Sequence, residues 1–105
     1  MRRAAKTDAN HAEIVRVLRQ AGCGVLDLSA VGKGCPDLLV HGPVHPHEAA
    51  LVEVKDGRRA PSERRLTPDQ QRFHAAWKGR IHVVTSPDEA LAVVGIGRIA
   101  RGEAA

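Results

Sequence analysis

Three ionisable residues, Asp37, Glu53 and Lys55, lie in or at the start of segments whose composition is typical of buried β-strands. Glu53 and Lys55 are two positions apart within Leu-Val-Glu-Val-Lys, and strand side chains alternate between the two faces of a sheet. Both therefore fall on one face, while the neighbouring valines take the other. Asp37 opens an earlier apolar run, and a neighbouring strand would bring its carboxylate to the same edge of the sheet.

These residue types at one sheet edge indicate metal-assisted hydrolysis of a phosphodiester. Two close carboxylates repel each other unless a cation joins them, and Mg²⁺ prefers oxygen ligands. A lysine beside the cation can position or deprotonate an attacking water and stabilise charge on phosphate oxygens. A Glu-x-Lys pair alone also fits a solvent-exposed edge strand. The earlier Pro36-Asp37, at the start of its own apolar strand, favours the metal site over that alternative.

The elements that must position these residues follow from hydrophobic periodicity and capping signals. Asn10 is expected to cap a first helix, with Glu13 as its capping-box partner, and Thr67 with Gln70 repeats the pattern for a second helix. Short apolar runs predict four strands. The predicted elements are helix 10–22, strands 25–28, 36–40 and 50–55, helix 67–79, strand 81–84 and helix 86–94. This α-β-β-β-α-β-α order implies an α/β fold, α+β in type, with one mixed sheet flanked by helices.

Length and composition fit one compact domain, expected at 10–95 between a basic arm at 1–9 and a tail at 96–105. Only 2% of the 105 residues are aromatic, which argues against a protein that binds single strands by base stacking. The net charge of +4 favours a polyanionic partner. Since no apolar run is long enough to span a membrane, a cytoplasmic protein without a membrane partner is expected, with both cysteines reduced.

Two basic segments are candidates for phosphate contacts. The first is the polar stretch 56–65, which directly follows Lys55 and carries four arginines that can each neutralise a phosphate. These are Arg58, Arg59, Arg64 and Arg65. The second is the turn 32–34, where Lys33 stands between two glycines. A solvated loop and an ordinary β-turn are the alternatives for these two segments.

Three motifs of the chain together resemble a known nuclease family. They are Gly32-Lys33-Gly34-Cys35-Pro36-Asp37, Glu53-Val54-Lys55 and Leu66-Thr67-Pro68-Asp69-Gln70. Pro-Asp followed by Glu-Val-Lys resembles the PD-(D/E)xK nuclease motif. All three motifs are similar to the virus-type replication-repair nuclease (VRR-NUC) domain of that superfamily, in its small stand-alone phage and prophage members. The resemblance covers residues 8–94 and implies a restriction-endonuclease-like core.

The resemblance also implies roles for individual residues. Asp37 and Glu53, with the backbone carbonyl of Val54, would bind a divalent cation, Mg²⁺ or Mn²⁺. Lys55 would be catalytic, and Gln70 would support catalysis near the site. Gln70 also fits a capping-box residue, and the two roles are compatible.

The first helix departs from the family pattern. Relatives often carry a metal-binding glutamate at the position that is His11 here. A helical wheel turns His11 inward with the apolar stripe, whereas Glu13 lies on the polar flank. Either His11 replaces the glutamate as a metal ligand, or Glu13 serves through a shifted register. A semi-buried histidine and a capping glutamate are the structural alternatives.

The function implied is that of a Mg²⁺- or Mn²⁺-dependent DNA endonuclease, selective for junctions or flaps in phage-type replication, recombination or repair. The alternative is a DNA-binding or assembly module that keeps the nuclease fold with weak or no catalysis. Retention of both carboxylates and of Lys55 favours the enzyme. The expected partner is DNA, branched DNA included, and a homodimer would supply two sites for a branched duplex.

Overall fold

A computed structural model describes residues 8–96, so most of the predicted arm (1–9) and of the predicted tail (96–105) lies outside the described residues. The helices and strands follow one another in the predicted order. They are α1 (His11–Gln20), β1 (Gly24–Asp27), β2 (Leu38–His41), β3 (Ala49–Val54), a 3₁₀ turn (Pro61–Arg64), α2 (Pro68–Ala76), β4 (Ile81–Val84) and α3 (Pro87–Val93). The predicted fold class, a mixed sheet with helices, is confirmed.

The four strands form one sheet in the order β1-β2-β3-β4. β1 pairs with β2, and β2 with β3, in antiparallel fashion, so that Leu26, Leu39 and Leu51 lie side by side. β4 pairs with β3 in parallel, with Val83 opposite Glu53, after a crossover that contains α2. The carboxyl ends of β3 and β4 therefore meet at one edge of the sheet.

One face of the sheet forms the hydrophobic core with α1 and α3. Val52 and Val54 of β3 are each 1% exposed and belong to the same buried cluster as Leu18 of α1. Side chains at alternate positions of a strand face opposite ways. Glu53 and Lys55 therefore lie on the other face, where α2 contacts them.

Two strand boundaries next to the site differ from the prediction, namely the start of β2 and the end of β3. β2 begins at Leu38 rather than at Pro36, because its pairing with β1 ends there. β3 ends at Val54, although Lys55 still donates its backbone N–H to a β4 carbonyl (2.9 Å). Asp37 thus precedes its strand, and Lys55 follows its own.

The predicted capping box is confirmed at α2 and is wrong at α1. Thr67 Oγ1 accepts a hydrogen bond from the Gln70 backbone N–H (3.2 Å), and Gln70 Oε1 accepts one from the Thr67 N–H (2.8 Å). Asn10 occupies the N-cap position of α1, but its side chain does not cap the helix. Its amide instead donates to the carbonyls of Lys55 and Thr85, both at 3.0 Å. Contacts with the ends of two strands thus replace the local cap.

Helix α2 lies outside the buried core. None of the residues of α2 is buried. Phe73 and Trp77 stack on each other with 5.7 Å between ring centroids, and Trp77 is 46% exposed. Polar contacts from Gln70 to β3 and to the residue after it hold the helix near the sheet.

The remaining features concern the loop after β3, the cysteines and membranes. The polar stretch 56–65 contains the 3₁₀ turn. Both cysteines are free thiols, Cys23 buried and Cys35 half-buried. Within residues 8–96, no helix is long and apolar enough to cross a membrane.

Candidate active site

An open cavity of about 500 Å³ lies at the carboxyl end of β3. Asp37, Glu53, Val54, Lys55 and Gln70 all line it. The structure thus brings together the five residues that the sequence predicted at this site, contributed by the start of β2, the end of β3 and the first turn of α2.

Asp37 is fixed to the neighbouring strand by its side chain. Its Oδ2 accepts a hydrogen bond from the backbone N–H of Val54 (2.8 Å). The β2–β3 ladder has already ended at the Leu38–Val52 pair, so the carboxylate takes the place of the next backbone partner. The N–H and C=O of a strand residue point to the same side, so the Val54 carbonyl faces the Asp37 side of the strand. This orientation fits the predicted role of that carbonyl as a ligand.

Glu53 is a buried carboxyl group with an unused oxygen. The residue is 1% exposed, and its Oε2 accepts a hydrogen bond from Gln70 Nε2 (3.0 Å). Its Oε1 is buried and has no hydrogen-bond partner among the described residues. Burial, and then the nearby Asp37 carboxylate, raises the pKa of Glu53 to about 8, although the Lys55 ammonium opposes this rise. The two carboxyl groups therefore require a shared proton or a cation at neutral pH.

Gln70 connects the positive and negative groups of the site. Lys55 Nζ donates to Gln70 Oε1 at 2.8 Å, and the amide nitrogen of the same side chain donates to Glu53. The oxygen also accepts from the Thr67 backbone N–H, so the capping box fixes the side chain. Capping and support of the site, the two predicted roles of Gln70, are both compatible with this geometry.

His74 is a further residue near the carboxylates, and the sequence reasoning missed it. It lies one helical turn after Gln70, and its Nε2 is 3.8 Å from Glu53 Oε1. Neither atom has a hydrogen-bond partner in the described part of the chain. Burial, with the Lys55 charge, lowers the pKa of His74, which favours a neutral ring. The i, i+4 spacing from Gln70 was the available signal, because such residues share a helix face.

The structure places His11 and Glu13 away from this cavity, which corrects the expected placement of the helix ligand. His11 is buried as the helical wheel predicts, but its Nε2 lies 3.1 Å from Asp27 Oδ2 of β1. Glu13 lines a different cavity, together with Asp56 and Arg58. The apolar stripe sets which face of α1 points inward, but that face covers β1 at this position rather than the ends of β2 and β3.

Two further acidic residues line the cavity, Asp8 and Glu63. Glu63 Oε1 accepts a hydrogen bond from the Ala60 backbone N–H (3.2 Å) and lies near Arg59, whereas Asp8 comes from the segment before α1. The sequence reasoning assigned Asp8 to the basic arm, because no periodic pattern includes it. Burial raises the pKa of Asp8, with Lys55 opposing the rise and Asp37 adding to it. The only signal in the sequence was a carboxylate two residues before the N-cap of α1.

The predicted phosphate-binding arginines divide into two groups. Arg59 and Arg65 line the cavity, and Arg59 lies 3.6 Å from Glu63. Arg58 is bound to Asp56 (3.2 Å) and lines another cavity, and Arg64 is not part of the cavity wall. Only one pair of arginines is therefore placed to contact a substrate within the cavity.

Lys33 is exposed on a tight loop beside α2. The φ angle of Lys33 is 58°, and the glycines on both sides also have positive φ angles. A side chain at Gly34 would collide with the backbone of Asp69 in the first turn of α2. The close approach that these glycines permit is therefore to α2, and Lys33 lies beside the helix that carries Gln70.

The donor set of the cavity fits a hard divalent cation. Mg²⁺ and Mn²⁺ bind oxygen ligands of the kind found here, namely the carboxylates of Asp37 and Glu53 and the Val54 carbonyl. One of the carboxylate oxygens, Glu53 Oε1, is buried without a hydrogen-bond partner in the described chain. Within residues 8–96, no three His, Cys, Asp or Glu side chains cluster closely enough to hold an ion by themselves. Mg²⁺ sites commonly use one or two carboxylates, with waters and substrate phosphates as the other ligands.

Comparisons with known proteins agree with this geometry. No protein-family model matches the chain, and no curated protein matches it. Among solved structures, a VRR_NUC domain matches with a TM-score of 0.56 and 26% sequence identity, covering 83% of this chain and 96% of the other. Such a domain suggests a nuclease of the PD-(D/E)xK type. The chain has the nuclease-like fold of this family, and the match supports its assignment as a VRR-NUC domain.

Proposed function

We propose that the chain is a Mg²⁺- or Mn²⁺-dependent DNA endonuclease that hydrolyses phosphodiester bonds. One arrangement carries the proposal: Gln70 links the Lys55 ammonium to the Glu53 carboxylate, beside Asp37, within a single cavity. The likeness to a VRR_NUC domain supports a nuclease.

Each residue of the cavity has a separate role in the proposed reaction. Asp37, Glu53 and the Val54 carbonyl would hold the divalent cation, which would neutralise the carboxylates and polarise a phosphate oxygen. Gln70 holds Lys55 in place, and its amide group keeps Glu53 Oε2 occupied. Lys55 stabilises negative charge on a phosphate oxygen and orients the attacking water. Gln70 acts through its neighbours and is a positioning residue.

The proposed substrate is DNA, recognised mainly through its phosphates. Arg59 and Arg65 line the cavity, the net charge is +4, and only 2% of the residues are aromatic, so stacking contributes little. We extend the proposal to branched DNA, flaps and four-way junctions, in phage-type replication, recombination or repair. A homodimer is the proposed form, because one 105-residue chain offers few contacts to a branched duplex.

A cleavage assay tests this function. The purified protein is incubated with linear duplex, flap and four-way-junction DNA in Mg²⁺, in Mn²⁺ or in EDTA. We expect cleavage with either metal, strongest on branched DNA, and none in EDTA. Asp37→Asn should abolish cleavage with little loss of DNA binding, whereas Asp27→Asn, outside the cavity, should remain active. If no substrate is cut with either metal at low salt, the chain is a DNA-binding or assembly module instead.

A further inference from the structure

Asp8 shares the cavity with the two carboxylates of the site, although it is far from both in the sequence. Asp8, Asp37 and Glu53 line the cavity, with Lys55 directly after β3. Glu63 lines it as well, but its carboxylate is already engaged by the Ala60 backbone N–H and lies near Arg59. The charges of Lys55 and Asp37 both act on the Asp8 carboxyl, which places these groups within electrostatic reach of each other. Asp8 is therefore a further acidic group of the site.

Asn10 fixes the short segment that carries Asp8. Its side-chain amide donates to the carbonyls of Lys55 and Thr85, which mark the adjoining ends of β3 and β4. The Asp8 carbonyl accepts a hydrogen bond from the backbone N–H of His11 (3.0 Å), which makes Asp8 continuous with the start of α1. Asn10 is 9% exposed, so this connection lies inside the protein. The start of α1 is thus tied directly to the backbone of Lys55.

Among the residues described around the start of α1, Asp8 is the acidic residue that lines the cavity. Glu13, the acidic residue in the first turn of α1, lies in the cavity that also contains Asp56. His11 Nε2 lies 3.1 Å from Asp27 Oδ2, and both residues line a different cavity. Of the ionisable groups described at the beginning of α1, Asp8 alone lines the same cavity as Asp37 and Glu53.

The carboxyl group of Glu53 is a second observation that points to a cation in this cavity, because among residues 8–96 its Oε1 has no hydrogen-bond partner and only the neutral-favoured ring of His74 near it, at 3.8 Å. The residue is 1% exposed. A buried carboxylate oxygen without a partner costs free energy, which a bound cation would remove. A further nearby carboxylate strengthens the attraction for a divalent cation and weakens that for an anion.

We infer that Asp8 is an outer acidic group of the divalent-cation site, which attracts the cation by its charge beside the ligands Asp37 and Glu53, and that Asn10 is its positioning residue. The chain would then supply, from the segment before α1, the negative charge that α1 itself does not direct into the cavity. The inference rests on the proposed function only in the choice of cation, and it is tested by metal binding rather than by cleavage.

Titration of the full chain with Mn²⁺ in the absence of DNA tests the role of Asp8. Asp8→Asn should lower the affinity for Mn²⁺ about tenfold, as expected when a charged group close to a bound metal is neutralised. Asp37→Asn should lower the affinity further. The control is Glu13→Gln, which removes a negative charge near the start of α1 but outside this cavity, and it should leave the affinity unchanged. Thermal unfolding of each variant checks that the fold is retained.

The outcomes separate this inference from the proposed function. If Asp8→Asn binds Mn²⁺ like the wild type while Asp37→Asn does not, the role of Asp8 is wrong and the nuclease proposal stands. If Asp8→Asn weakens Mn²⁺ binding but the wild type cuts no DNA, the inference stands and the nuclease proposal fails. A wild type that does not bind Mn²⁺ contradicts both.

A double-mutant cycle tests the role of Asn10. Asn10→Ala should weaken Mn²⁺ binding in the wild type but have little further effect in Asp8→Asn, because the group that it positions is already neutral. Its effect on thermal stability should be the same in both backgrounds. An equal loss of Mn²⁺ affinity in both would show that Asn10 does not act through Asp8. If Asn10→Ala does not fold, Asn10→Ser, which keeps a hydroxyl donor, provides the same comparison.

Discussion

Replacing Glu53 with glutamine should stabilise the metal-free protein at neutral and mildly alkaline pH. Burial and the Asp37 charge raise the pKa of Glu53 in the folded protein to about 8, from an ordinary value of 4.5. Between these values the folded protein holds a proton that the unfolded chain has released. Unfolding therefore becomes more favourable as the pH rises, and the wild type in EDTA should lose stability between about pH 5 and about pH 8.

The size of this effect follows from the pKa difference. One pKa unit corresponds to about 1.4 kcal/mol, so the wild type loses at most about 4 kcal/mol by pH 8. Glutamine has nearly the same shape as glutamate and does not ionise, so Glu53→Gln should escape this loss. Natural domains have a total stability of about 5–15 kcal/mol, so the difference is readily measured.

Urea unfolding in EDTA across this pH range is the assay. The two stability profiles should coincide near pH 5 and diverge as the pH rises, with Glu53→Gln the more stable protein. Glu13→Gln, which replaces an exposed glutamate of α1, should follow the wild type. Added Mg²⁺ should stabilise the wild type at pH 8 more than the variant, because it binds the ionised site in the folded state. Parallel profiles for wild type and Glu53→Gln would refute the reasoning.

Two further predictions concern catalysis and DNA binding. Lys55→Ala should keep the affinity for Mn²⁺ but slow cleavage about a hundredfold or more, which is the usual effect of losing one donor that stabilises the transition state. Undiminished single-turnover rates would show that Lys55 has no chemical role. A double variant in which serine replaces both Arg59 and Arg65 should reduce the slope of log affinity against log salt concentration by about two. The matched double variant, with serine in place of Arg58 and Arg64, should change this slope less. Equal slopes for the two double variants would place the DNA surface elsewhere.

The local patterns of the sequence were sufficient to predict the mixed sheet and to bring Glu53 and Lys55 to one face of it. Period-two alternation places Glu53 and Lys55 on one face because Val52 and Val54 occupy the core, and this requires no knowledge of the rest of the fold. The Thr67 capping box is likewise local, since its hydrogen bonds join residues three positions apart.

The contribution of the α1 region could not be predicted in the same way. A helical wheel shows that His11 faces inward but not which strand lies beneath it, and that strand is β1. The position of Asp8 depends on hydrogen bonds from Asn10 to residues 45 and 75 positions away. Contacts over such distances are set by the assembled fold, and no pattern within one segment encodes them.

The shared oxygen of Gln70 links helix formation to the arrangement of the site. Gln70 Oε1 accepts hydrogen bonds from the Thr67 backbone N–H and from Lys55 Nζ, both at 2.8 Å. The same atom therefore caps the start of α2 and fixes the position of the Lys55 side chain. None of the residues of α2 is buried, which is typical of elements that open locally at low free-energy cost. Unwinding of the first turn of α2 would release Lys55 and Glu53 together while the sheet and its core stayed folded. The competent site would then be a subglobal folding unit, populated or lost independently of the global folding equilibrium.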